Sequence, residues 1–275
     1  MFFLKIFFSA TLMFALFFPT SGSENTIKLF EDLKGKLDIY CAPELMPVLQ
    51  EAAMEIVKSN SSIKISLNKS SSTKGLDKLK KGQIDLAITD IPVKDSGFKS
   101  NFFAINGVAV IVNKDNPAWD MTIEQVRDIF TGKIKNWNKI CRLTAQINIC
   151  SMNKESLNSL LFRKIMLNGE AVSETATRVS SEKGMKILAM ADPKAIGYIN
   201  ISLLDDKDKP VRINGQAPSE RNVLKGRYKY VCKYYVCTTA SPSHLTSQFI
   251  KFMLSKKGRS IIGKSNFLLP QKQQQ

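Results

Sequence analysis

The chain switches repeatedly between two apolar rhythms, and that alternation restricts its fold more than any other feature. "KLDIYC" (36–41) is a short apolar run of strand type, and "PELMPVLQEAAMEIVK" after it puts Leu45, Val48, Leu49, Ala52, Ile56 and Val57 on one helical face. "IKISLN" (63–68) is a second strand. A polar loop and a short helix through Leu76 and Leu79 then lead to a third, "IDLAI" (84–88). Repeated strand, helix, strand order demands a parallel sheet with helices on its faces, an α/β fold.

The same alternation continues to the end. "FFAINGVAVIVNK" (102–114) is apolar enough to cross a core as one or two strands. Thr122 with Gln125 three positions on has capping-box spacing, and Gly132 is placed to end the helix they start. "INIC" (147–150), helices around 156–166 and 181–190, and the strand "AIGYIN" (195–200) follow. The strand "YKYVCKYYVCTT" (228–239) and an amphipathic helix over about 243–255, with Leu245, Phe249, Phe252 and Met253 on its apolar face, close the series.

The first residues, "MFFLKIFFSATLMFALFFPTSGS", hold one lysine, an almost uncharged run from Ile6 to Phe18 and small residues at 21–23. They read as a secretory signal peptide over 1–23, cleaved after Ser23. No later stretch approaches the ~18 consecutive apolar residues of a spanning helix. The expectation is a soluble, monomeric, periplasmic or secreted protein with no transmembrane segment. With no cysteine at the cleavage boundary, no lipid anchor is expected.

Formal charge is +16, and loss of Lys5 with the leader lowers it to +15. Such a chain attracts anions. Its Lys and Arg are scattered, without an RRM, zinc-finger or helix-turn-helix pattern, so no specific nucleic acid is expected. Cys141 and Cys150 flank the excursion "CRLTAQINIC" and form the expected disulfide in an exported protein. Cys232 and Cys237 share a strand and lie too far apart to bond unless that strand is broken; Cys41 has no assigned partner. One histidine, His244, and no CxxC leave almost no material for zinc sites or histidine-based triads. Asp205, Asp206 and Asp208 lack the spacing of a calcium loop and read as a solvated turn. No Gly-x-Ser-x-Gly elbow or P-loop occurs, so neither an enzyme nor a bound cofactor or metal is expected.

"GVAVIVNKDNPAWDMTIEQVRDIFTGKIKNWNKI" (107–140), sharpest at "IFTGKIKNW", resembles the phosphate-binding branch of the periplasmic solute-binding proteins. "IDLAITDIP" (84–92), "AIGYIN" (195–200) and "INGQAPSERNVLKGRYKY" (213–230) extend the likeness in the right order over most of 36–270. The resemblance implies a type II periplasmic binding fold: two α/β lobes, two crossing segments near 105–115 and 195–215, and a central ligand cleft that closes by hinge motion. One lobe would hold 24–110 and 200–275, the other 111–199. It also implies phosphate or another small oxyanion as ligand and an ABC permease as partner.

Such sites use helix amino termini, whose free NH groups suit an anion, supplemented by hydroxyls. By the resemblance, Ser71, Ser72 and Thr73 ahead of Gly75 match one such loop, with Ser72 in the hydroxyl position. The loop also reads as a helix cap with solvated neighbours. Asp90 matches a ligand-side aspartate, which has only acceptor oxygens and so suits an anion that is itself a donor, as hydrogen phosphate is. Two other loops depart from the pattern. "YCAPELMP" has Cys41, Ala42, Pro43 and Glu44 in place of glycine and hydroxyls. Ser151 stands where the family has an arginine, leaving Asn153, Lys154 and Ser156 as substitute ligands. A second reading is therefore a basic exported protein of the same fold, with a degenerate small-molecule site, that binds an acidic macromolecule or surface.

Overall fold

A computed structural model describes residues 28–270; the leader expected over 1–23 lies outside them. The strands in chain order are β1 (Gly35–Cys41), β2 (Ile63–Lys69), β3 (Leu86–Thr89), β4 (Phe98–Val112), β5 (Asp120–Met121), β6 (Asn148–Met152), β7 (Thr177–Val179), β8 (Ala195–Asn200), β9 (Lys209–Pro210), β10 (Arg212–Ile213) and β11 (Val231–Thr239). The helices that matter here are α1 (Met46–Ser59), α2 (Ser72–Lys80), α3 (Ile123–Phe130), α4 (Leu157–Met166), α5 (Glu182–Ala191), α6 (Glu220–Leu224), α7 (His244–Leu254) and α8 (Lys256–Lys264).

Among the described residues the main sheet runs β2-β1-β3-β11-β4-β8-β6-β7, with β9 also on β4. β1 pairs in parallel with β2 and β3, as the strand-helix-strand rhythm requires. The long apolar run around 102–114 forms one strand, β4, which changes partner midway. Phe98–Gly107 pairs antiparallel with β11, and Val108–Val112 pairs antiparallel with β8. Two α/β halves share this strand, the arrangement that the resemblance to a type II periplasmic binding fold implies.

In the first lobe α1 buries Val48, Leu49, Ala52 and Ile56. α2 rests on a separate small cluster of Leu76, Leu79, Ile84, Ala87 and Cys237. In the second lobe Phe162 of α4 stacks on Tyr198 of β8 with ring centroids 3.7 Å apart, and Phe130 of α3 meets Phe162 edge-on at 4.7 Å. The capping box forms as expected: Thr122 Oγ1 accepts from Gln125 N–H at 3.2 Å, and Gln125 Oε1 accepts from Thr122 N–H at 2.9 Å. The turn at 205–208 is braced by Lys186, whose ammonium reaches Asp205 at 2.8 Å and Asp208 at 2.7 Å.

All five cysteines are free, which corrects the expected Cys141–Cys150 disulfide. Main-chain bonds close that excursion instead: Ile147 N–H donates to Lys135 O and Trp137 N–H to Ala145 O, both at 2.9 Å. The buried Trp137 indole donates to Lys194 O at 2.9 Å and anchors the turn. Cys150 is sealed within β6, its Cβ facing Gly197 of β8, and burial, with Asp192 nearby, pushes its thiol up to about 11. A register shift between Tyr234 and Tyr235 divides β11, leaving Cys232 in the main core and Cys237 in the cluster under α2.

The closing helix is followed by a second, α8, because Ser255 ends one and caps the next, accepting from Gly258 N–H at 3.2 Å. A Cβ on Gly258 would lie 2.6 Å from Met253 Cα, against backbone that cannot yield. Gly258→Ala is therefore expected to lower stability by about 1–3 kcal/mol in denaturant unfolding. A thiol reagent applied to the native protein should label the half-buried Cys141 rapidly, while the other four react only on unfolding. Peptide mapping that finds Cys141 and Cys150 joined would overturn this description.

Candidate functional site

β1, β2 and β3 run parallel, so the loops leaving their carboxyl ends converge on one edge of the sheet, where open α/β folds bind ligands. Residues 42–44, 70–73 and 90–91 of these loops face Leu157, Leu160, Leu161 and Lys164 of α4 across a cleft of about 400 Å3. A larger cavity of about 570 Å3, bordered by Phe102, Leu254, Lys233 and Arg259, lies elsewhere and holds none of the expected ligand residues.

Ser71 caps α2, its hydroxyl accepting from Lys74 N–H at 3.4 Å. The amides of Ser72 and Thr73 belong to the first turn and have no acceptor within the helix. Asp90 follows β3 and is held from three directions. Its N–H donates to Ser72 Oγ at 3.0 Å, Ser72 Oγ donates to its Oδ1, and the Lys164 ammonium donates to its Oδ2. The Asp90 side chain is 16% exposed and that of Lys164 54%, so the pair sits at the cleft wall with its cation toward solvent.

The loop after β1 presents Glu44 to this cleft. Its Oε1 accepts from the Tyr234 hydroxyl at 2.6 Å. Burial, reinforced by Cys232 and Glu44, pushes the Tyr234 hydroxyl far up and keeps it a donor. Burial, together with Glu44, raises the neighbouring Cys41 thiol to about 12. No Lys or Arg among the described residues pairs with Glu44.

Of the residues expected to bind ligand, Ser71, Ser72, Thr73 and Asp90 come together here, whereas Asn153, Lys154 and Ser156 do not line the cleft. Lys154 pairs at 2.7 Å with Glu174, both exposed. Ser156 caps α4, accepting from Ser159 N–H at 3.1 Å, and exposed Asn153 is tied through its backbone N–H to Val179 O. Ser151, in the arginine's place, is buried and shares a hydrogen bond of 3.1 Å with the Tyr198 hydroxyl. The second wall comes instead from one face of α4, at the spacing 157, 160, 161, 164. Loop position does not mark Lys164; its sequence signal is the helical spacing that sets it on one face with Leu157, Leu160 and Leu161.

The domain model that matches the chain describes a PBP superfamily domain and covers residues 31–257. The phosphate-binding protein PstS of Bacillus subtilis (strain 168) is 27% identical over 242 residues, covering 86% of this chain and 80% of that protein. An ABC-type phosphate transport receptor from Vibrio cholerae superposes with a TM-score of 0.75 at 22% identity, covering 86% of this chain and all of the other. PstS from Borrelia burgdorferi does so with a TM-score of 0.74 at 20% identity, covering 87% of this chain and all of the other. With a match over most of its length, the chain belongs to the PBP superfamily, and it shares the fold of these two solved structures.

Proposed function

We propose that this protein is an exported receptor that binds phosphate or a related small oxyanion between its lobes and, as a monomer, delivers it to an ABC permease. The observation that carries this reading is the pair of unbonded amides of Ser72 and Thr73 at the start of α2, set beside the Ser72 hydroxyl, Asp90 and Lys164 in one cleft. The phosphate-binding relatives support it, and favour it over capture of an acidic macromolecule. The lobes of this reading are 24–110 with 200–275, and 111–199. The leader at 1–23 and the absence, among the described residues, of a helix long and apolar enough to cross a membrane accord with a periplasmic or secreted location.

Lys164 takes the part left open by the missing arginine, acting as a flexible point charge rather than a planar fork. As an anion settles on the Ser72 and Thr73 amides, the ammonium turns from Asp90 to the incoming charge. The released Asp90 Oδ2 then accepts the proton carried by hydrogen phosphate. Sulfate brings no proton at neutral pH and sets its own lone pairs against the carboxylate.

Calorimetry on the purified mature protein should show heat with phosphate and a weaker response to sulfate and molybdate. Asp90→Ala should weaken phosphate about tenfold or more and narrow its margin over sulfate, since a hydrogen bond to a charged group contributes about 1.5–3 kcal/mol. Lys164→Met should weaken all oxyanions together and flatten the dependence of affinity on salt. Silence with every oxyanion would sink the proposal.

A further inference from the structure

The charge of the cleft runs against that of the chain. Around it stand Glu44, Asp90 and Lys164, two carboxylates to one ammonium, in a protein with 40 Lys and Arg against 24 Asp and Glu. Asp90 is compensated by Lys164, but Glu44 has only a neutral hydroxyl as partner. A bare phosphate dianion seated on α2 leaves that carboxylate facing more negative charge.

The cleft's size and lining point the same way. About 400 Å3 lies within the range of about 300–1,000 Å3 typical of pockets for organic ligands, and phosphate has only five heavy atoms. Beyond the first turn of α2 the wall is apolar: Leu157 is 41% exposed, Leu160 44% and Ile91 45%, all bordering the cleft. Pro43 offers no N–H on that side. Three large apolar side chains beside a carboxylate without a cation form a surface for methylene groups that end in a positive charge.

We infer that the ligand is an oxyanion bearing a short aminoalkyl arm, a zwitterionic alkylphosphonate or phosphomonoester rather than inorganic phosphate. Its anionic head occupies the α2 amides and Lys164, its methylenes lie on Leu157, Leu160 and Ile91, and its ammonium meets Glu44. This rests on the oxyanion reading and narrows it. A singly protonated phosphonate still carries the P–OH that Asp90 accepts, so the role of Asp90 is unchanged.

Titration with three probes, inorganic phosphate, propylphosphonate and 2-aminoethylphosphonate, separates the possibilities. The aminoethyl compound should bind at least tenfold more tightly than phosphate, and propylphosphonate more weakly than the aminoethyl compound. Glu44→Gln keeps an acceptor for the Tyr234 hydroxyl, so the fold is preserved. It should weaken 2-aminoethylphosphonate about tenfold while leaving propylphosphonate unchanged or improved. Leu160→Ser, at a half-exposed position of the cleft wall, should weaken both phosphonates several-fold more than it weakens phosphate. Phosphate binding as tightly as 2-aminoethylphosphonate overturns this inference and leaves the oxyanion reading standing. So does indifference of the aminoethyl ligand to Glu44→Gln. Silence with all three probes overturns both.

Discussion

The backbone ladder of β4 is the constraint on which the rest of the molecule depends. One uninterrupted strand bonds to β11 through its first ten residues and to β8 through its last five, so neither half of the sheet can shift without moving a strand of the other. Its burial on both faces over Phe103–Val112 explains why the run is so apolar. The parallel strands β1, β2 and β3 are built outward from it through β11, and their carboxyl-end loops thereby face α4, which packs on the far half. The cleft is a consequence of that shared strand.

Within the cleft, geometry and charge favour different things. The open first turn of α2 attracts an anion, whereas Glu44 and Asp90 discourage one. The conflict is resolved by position: Asp90 is tied to Ser72 and Lys164 on one side, and Glu44 to Tyr234 on the other. The chain's large positive net charge attracts anions over long range, whereas the cleft itself holds two carboxylates and one ammonium.

Much of the fold was legible because its period changes so plainly. The strands at 36–41, 63–68 and 195–200 and the capping box at Thr122 fall where local pattern places them, since local propensity and tertiary packing agree there. The single span of β4 was not legible, because an apolar run does not reveal whether its partners change along it. α8 was hidden by Ser255, which can end a helix or begin one. In the cleft, Ser71–Thr73 and Asp90 sit at loop positions that a linear motif can mark. Lys164 depends on which face of α4 meets a distant loop, a tertiary fact. The bridge expected between Cys141 and Cys150 is replaced by main-chain bonds across the same excursion, which leave both thiols free, and nearness in sequence does not reveal that exchange.

The register shift in β11 sends Cys237 away from the main core into the small group of side chains beneath α2. That helix, the one whose first turn faces the cleft, thus rests on a satellite of five buried residues while its neighbours rest on the continuous core. Segments with few buried contacts open locally at lower free energy than the whole molecule unfolds. Under the proposed function, an anion seated on the first turn of this helix orders the patch, and part of the binding energy goes into quieting local fluctuation. On that function, affinity is tunable from Leu76, Leu79 or Ile84, buried residues that do not line the cleft.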